Sequence, residues 1–84
     1  MDDQSILTHI ESLVAEEHRL QSQEQDEAAH GEDPGEDRTR LEAVSVELDR
    51  CWDLLRQRRA LREAGANPDA AEARDPNTVE RYLQ

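Results

Sequence analysis

Phenylalanine and lysine are absent from this chain, and Cys, Met, Trp and Tyr occur once each. So few aromatics exclude a core built on stacked rings. A single Cys excludes an internal disulfide framework. With no Lys, all basic charge falls on ten Arg residues. Arg and Ala in place of Lys fit a GC-rich genome; the functional alternative is a need for planar, bidentate contacts. No glycine-rich turn is present to cradle a phosphate, and no Ser lies in a nucleophile elbow. No apolar run approaches the roughly 18 residues of a membrane span. The start, MDDQSI, lacks the basic and apolar regions of a signal peptide, which predicts a cytoplasmic protein. A net charge of -11 argues against nucleic acid and against an anionic membrane surface as partners.

At 84 residues, with 35% hydrophobic and 37% charged, the chain has room for one domain and a modest core. That composition borders on the disordered class. The ordering of the apolar residues points the other way. Ile6, Ile10, Leu13, Val14 and Leu20 recur at helical spacing and predict a helix over about 3–29, with Asp2 and Asp3 at its capping end. Leu41, Val44, Leu48, Cys51 and Leu55 make a heptad-like seam and predict a second helix over about 34–64. Gly31 suits the end of the first helix and Gly65 that of the second. Asp33-Pro34-Gly35-Glu36 combines a cap, a first-turn Pro and a capping-box Glu.

The break at about 30–33 is short enough to make the two helices antiparallel neighbours. The predicted fold is therefore all-α, an antiparallel two-helix hairpin over 1–65 with a tail over 66–84. Folding about residue 32 or 33 sets Leu13 against Trp52, Ile10 against Leu55, Leu20 near Val44–Val46, Asp3 against Arg62 and Glu27 against Arg38. Burial of the Ile, Leu, Val and Trp side chains dominates, at roughly 25 cal/mol per Å². In the tail, Asn67-Pro68 and Asp75-Pro76 each read as a cap followed by a first-turn Pro, opening short helical turns. Val79, Tyr82 and Leu83 share one face of the second turn.

A two-helix hairpin cannot enclose its own core, so the sequence predicts a homodimer that completes a four-helix bundle. Another protein's helix is the alternative occupant. The expected interaction face comprises Trp52, Leu54, Leu61, Arg58, Arg62, Val79, Tyr82 and Leu83. No catalytic constellation is visible and no cofactor is implied. Glu27-Ala-Ala-His30 has the spacing of carboxylate metal bundles, but lies past the apolar stripe, where a solvated helix end is the plainer reading. His9 and His18 read as rim groups. Glu17 falls on the seam as a polar residue able to set register. Cys51 reads as a buried small hydrophobe. The arginines of Arg56–Arg62 balance the acidic first helix.

ILTHIESLVAEEHRL, then LDRCWDLLRQRRALREAG and a terminal DPNTVERYLQ, resemble a family of short uncharacterised actinobacterial proteins, a domain of unknown function. The resemblance spans nearly the whole chain and is most specific over Leu48–Gly65 and Asp75–Gln84. It implies an all-helical hairpin in the bacterial cytoplasm and brings no activity, cofactor or catalytic residue.

Overall fold

The computed structural model describes residues 2–31, 35–75, 77, 79 and 80. Helix α1 spans Asp3–Ala29 and helix α2 spans Gly35–Glu63, and the two pack together as a hairpin. A 3-10 turn, Pro68–Ala70, follows. Among the described residues there is no strand.

The helix ends follow local chemistry. The Oδ1 of Asp2 accepts the amide of Ser5 at 2.8 Å, satisfying one of the free first-turn donors. Holding that amide keeps the Asp2 carboxyl below its usual range. The chain leaves α1 through Gly31 and α2 through Gly65, at φ of +77° and +76°. At the second end, the amide of Ala66 reaches the carbonyl of Leu61 and that of Gly65 reaches Arg62. These two bonds close a Schellman motif around a left-handed glycine. Asn67 then caps the 3-10 turn, accepting the amide of Asp69 at 3.0 Å. Asp75 does the same for Asn77 at 2.8 Å, and the amide of Val79 returns to the Asp75 carbonyl. The capping expected of Asp33 and Pro34, and the turn position of Pro76, lie outside the described residues.

The core is one seam. Ile6, Ile10, Leu13 and Leu20 of α1 bury against Val44, Leu48 and Cys51 of α2, with Val14, Leu41, Leu54 and Leu55 half-buried around them. Trp52 is not in this seam; it is 48% exposed. One residue on from Cys51, it is rotated by about 100° around the helix. The facing positions are the three–four series 44, 48, 51, so Leu13 packs where that series points rather than onto the indole. The Asp3–Arg62 pairing forms, at 2.9 Å. Towards the turn, Arg38 pairs with Glu24 and Arg40 with Glu16. Glu16, not the seam residue Glu17, thus provides that carboxylate bridge to α2.

The tail is a third layer strapped along α2. The Nε of Arg50 donates to the Arg74 carbonyl at 3.0 Å and Gln57 Nε2 to the Glu72 carbonyl at 2.8 Å. Val79 is 1% exposed.

Candidate functional site

Two ionic groups hold the strap and would be anomalies without it. Arg58 continues the α2 seam after Leu55 yet is buried. Its guanidinium donates to Asp3 of α1, to Asp69 at 2.9 Å and to the Pro68 carbonyl at 3.3 Å. One cation therefore joins α1, α2 and the 3-10 turn. Asp3, bonded first by Arg58 and then by Arg62, has its carboxyl held below the usual range. The same bonds, to Asp3 foremost, raise the Arg58 pKa further. Asp53 is equally buried. It accepts from Gln57 at 3.0 Å and forms an ion pair with the Nε of Arg74 at 3.3 Å. A buried charge persists only when paired and hydrogen-bonded, and here both are.

The expected interaction face is divided by these contacts. Leu54 packs against the core and Leu61 is half-buried. Arg58 and Val79 are buried within the chain itself. Arg62 keeps 51% of its side chain exposed beside Asp3. Tyr82 and Leu83 lie outside the described residues. What remains outward is Trp52, in an open cleft of about 390 Å³ with Asp3, Leu55, Arg56, Arg59 and Arg62 around it. Arg59 is tied only at the surface, to Glu63 at 3.3 Å. The cleft sets the indole beside three arginines and one carboxylate, with Arg62 paired to Asp3 and Arg59 to Glu63.

The chain matches over residues 2–84 the family described as Protein of unknown function (DUF2630). The chain belongs to this family. It is also similar to uncharacterized proteins of Mycobacterium bovis and Mycobacterium tuberculosis, each 46% identical over 81 residues. Those matches cover 95% of this chain and 88% of each relative. No solved structure matches it. This member of the family is a helical hairpin with a strap along α2.

The two candidate metal residues lie at the turn end of α1. His30 is the exposed C-cap residue, its Nδ1 2.7 Å from the Asp26 carbonyl, and Glu27 is half-buried. Among the described residues, three potential ligands converge elsewhere: His9 of α1 with Glu47 and Cys51 of α2, their ligand atoms within 4.8 Å of one another. Cys51 is buried, and burial, then the Glu47 charge, push its thiol up. His18 is exposed. Sequence spacing does not reveal this trio, because His9 comes from the other helix.

Proposed function

We propose that the protein is a small interaction module that works by helix–helix packing. Its docking surface is the α2 face centred on Trp52, and its occupant is a second copy of the chain. The carrying observation is that Trp52 remains 48% exposed within an arginine-lined cleft while Ile6, Ile10, Leu13 and Leu20 are covered. Trp and Arg are the side chains that most often anchor interfaces. Charge favours a second copy laid antiparallel. Along α2, residues 56–63 carry four Arg and one Glu, whereas residues 35–42 carry three carboxylates and two Arg. Along a molecule 55 Å long, a two-fold axis across the middle brings unlike ends together.

With Trp52 48% exposed, its indole has roughly 70–120 Å² left to bury, against roughly 600–1,000 Å² per partner in a stable interface. Leu55, Leu61 and the arginine stems must supply the rest, so the pairing is of modest affinity and sensitive to salt. A cytoplasmic setting belongs to the same reading and is supported by the unpaired Cys51. No helix among the described residues is long and apolar enough to cross a membrane.

Sedimentation equilibrium tests the proposal. The expected result is a monomer–dimer equilibrium at micromolar concentration that weakens with salt and is lost in Trp52→Ala. A wild-type protein that stays monomeric at those concentrations overturns it.

A further inference from the structure

The side chains of His9, Glu47 and Cys51 meet across the groove between α1 and α2, where the strap passes. They share a cavity of about 150 Å³ with Ile6, Arg50, Leu54 and Ala73. Glu47 and Cys51 stand four residues apart on one face of α2, and His9 answers them from α1. The Nε2 of His9 is 3.9 Å from the Oε1 of Glu47. The other oxygen of Glu47 is held by Arg50 at 3.3 Å. That contact leaves Oε1 to face the imidazole.

From these residues we propose a site for one borderline-soft divalent cation, with zinc as the best match, bound by His9 Nε2, Glu47 Oε1 and Cys51 Sγ. Thiolate, imidazole and carboxylate together select zinc or cobalt over the hard cations magnesium and calcium. Zinc takes sulfur at about 2.3 Å and nitrogen or oxygen at about 2.0–2.2 Å, so tetrahedral ligands lie roughly 3.3–3.6 Å from each other. The observed separations, up to 4.8 Å, close to that value by side-chain torsion alone. His9 and Glu47 are 45% and 41% exposed and free to swing, while Cys51 is fixed in the core wall. On binding, the Cys51 thiol gives its proton to solvent and the sulfur displaces a water from the hydrated cation, with no change of oxidation state. The fourth position remains open to water. The cation would clamp α1 to α2 midway along the open half of the hairpin, independently of Trp52.

Cobalt(II) titration of the reduced full-length protein, followed by absorption, is the test. The expected result is one equivalent bound, with tetrahedral d–d bands and a thiolate-to-cobalt charge-transfer band, and displacement by zinc. Cys51→Ser should abolish the charge-transfer band. His9→Ala, at an exposed position that leaves the core intact, should weaken binding by at least about 10-fold. His18→Ala and His30→Ala should bind as the parent does. Cobalt bound without the charge-transfer band, binding undiminished in His9→Ala, or no binding at micromolar metal overturns the site.

Discussion

The strap makes a sign-changing prediction at Asp53. Its side chain is 4% exposed, whereas that of Arg74 is 43% exposed. Intuition therefore ranks the exposed arginine as the cheaper residue to lose. The contacts rank it otherwise. In Arg74→Ala the strap stays docked, because Arg50 and Gln57 bind the carbonyls of residues 74 and 72. The Asp53 carboxylate then stays covered with only the Gln57 amide as donor. A buried charged group deprived of its partner costs about 1–3 kcal/mol, a large share of the roughly 4–12 kcal/mol that total stability amounts to at this size. Asp53→Asn in the parent protein weakens a charge-assisted pair and costs about 1–2 kcal/mol. In the Arg74→Ala background the same substitution removes a stranded charge, so it should raise stability by about 1 kcal/mol. Urea unfolding followed by far-ultraviolet circular dichroism measures all four proteins. Asp53→Asn lowering stability equally in both backgrounds would refute the argument.

Three further outcomes follow from other parts of the fold. Ile6→Ala, at 1% exposure, should cost about 2–5 kcal/mol, while Leu7→Ala, at 38% exposure, should stay within about 0.5 kcal/mol; equal losses in thermal melts would contradict the assigned seam. Gly65→Ala should destabilise by about 1–2 kcal/mol. Its φ of +76° is strained for any side chain although space around it is open, so an unchanged denaturation midpoint would count against the Schellman end. Acid should act oppositely on two regions. Asp2 and Asp3 have lowered pKa values, so their contribution is present above the ordinary value of 3.8 and is lost as pH falls through the folded values. Glu80, lying against the Asp49 carboxyl, has a raised pKa, so its contribution is full below 4.5 and is lost as pH rises through the folded value. Amide exchange should therefore show Ser5 loosening on acidification and Val79 tightening; parallel behaviour would refute the assignment.

The hairpin is legible in the sequence because its signals are local. Ile6, Ile10 and Leu13 state their face by spacing, as do Val44, Leu48 and Cys51, and Gly31 and Gly65 mark the ends. Setting Leu13 against Trp52 is the misreading, because an indole next to a seam looks like core until the helix phase is set by a real neighbour; the same sequence also puts Trp52 on the outer face. Asp53 and Arg58 are illegible for a stronger reason. Each is an ordinary charged residue in a charged helix, and only the path of the tail, settled fifteen or so residues later, buries it. His9, Glu47 and Cys51 share this difficulty, because two of them follow helical spacing but the third depends on the register between helices.

Arg58 joins residues 3 and 69 through one guanidinium, and that has a consequence for biosynthesis. Translation delivers Asp3 first, but its partner arrives 55 residues later, and Pro68 and Asp69 later still. A nascent chain stopped short of Arg58 carries an apolar stripe without the cation that closes its open end. The first turn of α1 is thus secured by the segment that follows α2, and the open end of the hairpin closes only once residues 68 and 69 have emerged.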